Sequence, residues 1–185
     1  MIIADKLKDT DRAGYLLYMW QVEDVIRACG LDSDRIEREY IERFNLTPQQ
    51  RSDMRRWYAD LCEMMRSEGV AREGHLQICK NILSELSELH TRLLASPNFP
   101  YYKQMYYRIL PYIVELRSKG AGRSEESELQ TCFEALYGVT LLRMKGKEIS
   151  PGTDRATKEI GTLLSQLSDY YLKDREEPLD FGIAE

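Results

Sequence analysis

Glu23, Asp24 and Arg27 stand in the second half of an almost wholly apolar run, Tyr15 to Cys29. Read as a helix at about 100° per residue, the three fall within one arc, and Glu23 and Arg27 sit one turn apart in the order that favours an ion pair. If buried, such charges must be paired or hydrogen-bonded, because an isolated buried charge is strongly unfavourable. A network of that kind marks a binding site or supplies an acid or a base. At the surface the same residues make a solvated stripe, and the general scarcity of buried carboxylates favours that reading. Trp20, Leu16 and Leu17 project along the same arc one turn earlier, so the stripe has a covered end and an open end.

The two histidines are His75 and His90. His75 and Cys79 have the i, i+4 spacing that puts two ligands on one helix face, but no third or fourth ligand stands near them, so no metal site is expected. His90 falls on an apolar seam, where it would act as a general base if Asp24 or Glu134 oriented it, and as a hydrogen-bonded core residue otherwise. Asp24 and His90 are therefore the catalytic candidates.

Twelve tyrosines are many for 185 residues, and Tyr101, Tyr102, Tyr106, Tyr107 and Tyr112 crowd one helix. Hydroxyls turned inward beside Pro111 would suit a planar ligand, whereas packing with the hydroxyls reaching water is the plainer alternative. Tyr106 and Tyr137 join Glu23, Asp24 and Arg27 as binding candidates. Arg51, Arg55 and Arg56 follow a helix start and mimic a groove-facing recognition helix, but the preceding helix is acidic and the net charge is −5, which argues against nucleic acid. Arg143, Lys145 and Lys147 suit the carbonyl end of a helix and give only weak support to a phosphate site.

Helical periodicity places these residues, and strand-like alternation is scarce, so the fold class is all-α. The pattern predicts about seven helices in a single compact bundle over residues 1–174, with the Tyr15 helix central. A tail over 175–185 frays or docks in a groove. Thr47-Pro48-Gln49-Gln50 is a capping-box start, and a fourth helix from near Arg72 to Ala95 carries Leu76, Cys79, Leu83, Leu86, His90 and Leu93. Pro111 inside the fifth helix predicts a kink. Lys119 to Arg123 reads as a flexible connection before a sixth helix capped by Ser124, and Gly138 within that helix suggests close approach of a backbone or ligand.

Four single cysteines without a Cys-x-x-Cys pair suggest free thiols in a reducing cytoplasm. The apolar runs are too short to cross a membrane, and the start carries no export signal.

The segments YLLYMWQVEDVIRA, GHLQ with ELHTRLL, and FEALYGVTLLRMKGKEISP together resemble an uncharacterised bacterial family of short all-helical proteins, domain of unknown function 4924. The resemblance extends over essentially the whole chain. It implies an all-helical cytoplasmic protein and supplies no catalytic residues. With no nucleophile, metal or phosphate-loop constellation in view, the expected function is a non-enzymatic binding or protein-interaction module, without a cofactor, that engages a second copy or a protein partner. The alternative is an enzyme or small-molecule binder with an interhelical pocket using Glu23 or Asp24, His90 and tyrosine hydroxyls.

Overall fold

Thr47 accepts a hydrogen bond from the Gln50 amide at 3.3 Å, and the Gln50 side chain accepts from the Thr47 amide at 2.9 Å. This reciprocal pair satisfies two amides that a helix start otherwise leaves open, and Pro48 at the first helical position loses nothing by lacking an N–H. The same logic opens two other helices through Ser127 and Ser150, which accept from the amides of Gln130 and Thr153.

The computed structural model describes residues 2–119 and 127–182. Among them the order is α1 (Ile2–Thr10), α2 (Arg12–Ala28), α3 (Ser33–Glu39), a 3-10 turn (Ile41–Arg43), α4 (Pro48–Ser67), α5 (Gln77–Ala95), α6 (Pro100–Lys119), α7 (Glu128–Met144) and α8 (Pro151–Glu176). The fold is all-helical, with eight α-helices among the described residues instead of about seven. The added one is α1, which precedes the Tyr15 run. The fourth expected helix begins at Gln77 and not near Arg72, so His75 lies in a loop. Gly74, at φ +84°, occupies left-handed backbone that breaks the helical path just before it.

Two clusters of contacts divide the chain. The first comprises the chain up to Thr10 and Gly14–Ile82. Here α3 and the 3-10 turn pack with α4, and Leu16, Met19, Ile26, Ile36, Tyr58 and Met65 are buried.

The second comprises Asp11–Ala13 and the chain from Leu83 onward. In it α6, α7 and α8 pack against one another, around Leu93, Tyr102, Ile109, Phe133, Ile160 and Leu167. Ser168 of α8 caps the start of α2, its hydroxyl oxygen accepting from the Arg12 amide at 2.6 Å. The tail seats on this cluster. Ser96 donates to the Phe181 carbonyl at 2.6 Å, Asn98 donates to that of Asp180 at 3.0 Å, and the Arg92 guanidinium lies 4.0 Å from the Phe181 ring centre.

Helix α6 runs through Pro111 as one helix, and Tyr107, whose carbonyl loses its partner to the proline, is exposed to water. A Cβ added at Gly138 would meet nothing within 4 Å, so close approach does not account for that glycine. The expected connection over 120–123 and the cap at Ser124 lie outside the described residues, and the cap that opens α7 is Ser127.

Candidate functional site

In the first cluster, Glu23 has no exposed surface. It arrives there because α2 is apolar on nearly every side, so a carboxylate in its second half is carried inward with its neighbours. Donors converge on it. The Leu76 amide donates to Oε1 at 2.9 Å, the Cys79 thiol lies 3.4 Å from the same oxygen, and His75 Nδ1 donates to Oε2 at 2.6 Å. An Arg27 guanidinium nitrogen stands 3.9 Å from Oε2. The solvated-stripe reading thus fails for Glu23, although Asp24 does stay near the surface, accepting from Arg27 at 3.1 Å.

Arg27 also donates to the carbonyls of Val70 and Gly74, and the His75 ring stacks on Trp20 with centres 4.4 Å apart. Through these bonds α2 holds the irregular stretch between α4 and α5 in place. Glu68 completes the arrangement by accepting from the Gln77 amide at 2.6 Å, which closes the start of α5. Burial, with Glu23 next to it, pushes the Cys79 thiol far above its ordinary range, so it is a poor source of thiolate. A carboxylate with this many donors from its own chain is a fixed internal anchor.

The second cluster holds the other histidine. His90 is 8 % exposed, and its Nδ1 lies 2.6 Å from the Tyr102 hydroxyl oxygen. Burial raises the Tyr102 phenol far above its usual range, so it keeps its proton, and it has no water within reach because the residue is fully buried. A buried hydroxyl proton needs an acceptor, and Nδ1 of a neutral imidazole is the one at hand. Tyr102 therefore donates to Nδ1, which fixes the proton of His90 on Nε2. Burial also holds His90 down to about 4, so the ring is neutral at pH 7.

Nε2 makes no hydrogen bond to any described residue. His90 lines a groove of about 250 Å³ with Ser87, Thr91, Leu94, Ser127, Glu128 and Leu129. Tyr106 packs edge-on to His90 and donates to Glu128 Oε2 at 2.5 Å. Burial and that bond push the Tyr106 phenol up to about 12.

The structure thus brings Glu23, Asp24 and Arg27 together, but the imidazole on Glu23 is His75. His90 belongs to the other cluster with Tyr106, while Glu134 accepts from Gln130 and Tyr137 is half-buried. Sequence reasoning named Tyr102 only as one of five clustered tyrosines and missed Glu128, whose only signal was its helical register. Arg55 pairs with Asp34 and Glu37 at 2.6 and 3.2 Å, and Arg51 lies 3.9 Å from Glu42, so these arginines face the acidic residues that precede them. Among the described residues no group of three or more His, Cys, Asp or Glu side chains is arranged to hold a metal ion, and none of the helices is long and apolar enough to cross a membrane.

No curated protein and no solved structure matched the chain. Residues 1–178 match the family model described as Domain of unknown function (DUF4924), and the chain belongs to that family.

Proposed function

We propose that this protein is a non-enzymatic interaction module that pairs with a second copy of itself through the outer face of α6. The observation that carries the reading is a stripe of Tyr107, Pro111 and Val114, all exposed, with Tyr107 64 % and Val114 61 % accessible. At about 100° per residue the three lie within roughly 60° of one another. Other exposed large apolar side chains are dispersed. Phe44, Met64 and Ile78 are single positions, Leu142 and Met144 point to different sides of α7, and Tyr101 and Leu116 lie about 120° and about 180° round α6 from Tyr107.

A second copy is the occupant because the stripe is self-complementary. Two α6 helices crossed antiparallel about Pro111 set Tyr107 of one against Val114 of the other, and a two-fold axis repeats the contact. Arg108 and Glu115, both exposed, lie on the same flank, so each arginine meets a glutamate of the other copy. The apolar stripe offers on the order of a few hundred Å², short of the roughly 800 Å² per partner of a standard stable interface. The pairing is therefore weak and concentration-dependent. The tail is not required, since it is seated on its own chain.

Sedimentation equilibrium across a hundredfold concentration range tests this. Mass should rise toward the dimer, Val114→Glu should abolish the rise, and Arg108→Glu should weaken it until combined with Glu115→Arg. A mass that stays monomeric throughout overturns the reading. The saturated environment of Glu23 supports a non-catalytic role, and four free, buried cysteines support a reducing compartment such as the cytoplasm. Residues 1–174 are taken to form one domain, since α2 and α5 each carry residues of both clusters, and a single cooperative unfolding transition would support this.

A further inference from the structure

We propose that the groove lined by His90 and Glu128 is a binding site for a compact organic amine that carries a neighbouring carbonyl or hydroxyl oxygen. The inference rests on the second cluster alone and is independent of pairing through α6.

The polar atoms of the groove fall into two kinds. His90 offers an N–H at Nε2 that no described residue accepts, on a side chain held rigid by Tyr102 and by the Tyr106 ring. Around it stand acceptors. Glu128 uses one oxygen for Tyr106. Ser87 and Thr91 donate their protons to the carbonyls of Leu83 and Ser87, which leaves hydroxyl lone pairs facing outward. Ser127 already accepts from the Gln130 amide.

One donor amid several acceptors, one of them a carboxylate, is the complement of a ligand with the reverse pattern. An ammonium group supplies two or three donors and the positive charge that Glu128 pairs with in a charge-assisted hydrogen bond. A carbonyl or hydroxyl oxygen a few bonds away accepts from His90. Leu94 and Leu129 add an apolar wall, which suits a short aliphatic side chain. The volume, about 250 Å³, equals that of about eight water molecules and lies just under the usual range for drug-sized ligands, so the ligand is small. A free carboxylate in place of the neutral oxygen would face the charge of Glu128 and is selected against.

Two histidines in the chain make the test direct. Leucinamide, which carries the amine, the carbonyl and an apolar side chain, is titrated at pH 7 while the imidazole resonances are followed by long-range proton–nitrogen correlation. His90 should shift saturably in the millimolar range or below, with His75 unmoved. 4-Methylvaleramide, which has the amide and side chain but no amine, should produce no saturable shift. Glu128→Gln, which keeps an acceptor for Tyr106, should weaken leucinamide binding about tenfold. Thr91→Tyr, at an exposed position, should block the groove without disturbing the core. Equal responses to the two compounds, an unchanged affinity in Glu128→Gln, or a His90 resonance that leucinamide does not move would each overturn the proposal.

Discussion

Both histidines have one ring nitrogen in a hydrogen bond of 2.6 Å, His75 to Glu23 and His90 to Tyr102, and the chemistry of those partners separates the two centres. Glu23 only accepts, so His75 must donate through Nδ1. Tyr102 must donate, so His90 accepts through Nδ1 and carries its proton on Nε2. In the first cluster the carboxylate sits inside and gathers donors from three directions. In the second, the carboxylate of Glu128 stands at the groove and the histidine is inside. A buried charge of the first kind is consumed in fixing a loop. A buried neutral ring of the second kind has bonding capacity left over, and that surplus faces a groove.

The contrast is broken most severely at Glu23. Glu23→Ala leaves the His75 ring and the Leu76 amide without their acceptor and removes the charge beside Arg27, and it should cost about 3–5 kcal/mol in urea unfolding. Glu23→Gln, which keeps an oxygen for the Leu76 amide, should cost less. A loss below about 1 kcal/mol for the alanine variant would mean that the carboxylate is not the anchor described.

Next comes the pH response of His90. Its folded value near 4 lies below the ordinary 6.5, so as pH falls the unfolded chain takes up the proton first. The stability this contributes is complete above about pH 6.5 and is lost between 6.5 and 4, amounting to about 3 kcal/mol. Glu128 on α7, together with Tyr102 and Tyr106 on α6, are the titratable groups around the ring, and of these the Glu128 charge favours protonation. His90→Gln, which still accepts from Tyr102, should flatten the stability profile across that window. An unaltered profile would place the titration elsewhere.

A smaller effect is expected from Tyr102→Phe. It removes the donor that fixes the His90 ring and should cost about 1–3 kcal/mol, with the histidine free to take either tautomer in the nitrogen spectrum. The mildest change runs in the opposite direction. Gly138→Ala adds a methyl group where nothing stands within 4 Å and should raise stability by up to about 1 kcal/mol. A loss on thermal melting would point to a contact at Gly138 after all.

The parts of the fold that were legible are those decided within a few residues. Thr47, Pro48 and Gln50 interact across a single turn, so their types and spacing were sufficient, and the apolar seam emerges at Cys79, Leu86 and Leu93 of α5, with Leu76 just before its start, all buried. Whether Glu23 was buried depended on donors from residues 75, 76 and 79, about fifty positions along the chain, and periodicity in α2 carries no record of them. His75 was misplaced on a helix because the sequence after Gly74 resumes helical spacing at once, while the Glu23 bonds hold His75 and the Leu76 amide outside it. The partner of His90 was equally hidden. Tyr102 was one of five clustered tyrosines, and only packing decides which phenol turns inward.

The most direct test of the account is the protonation state of the two imidazoles, read from a single long-range proton–nitrogen spectrum at pH 7 and assigned with His75→Gln and His90→Gln. The account predicts a proton on Nδ1 of His75 and a neutral His90 with its proton on Nε2. A His90 protonated at Nδ1, or charged at that pH, would contradict the claim that one histidine is committed to the fold while the other offers a donor to the groove.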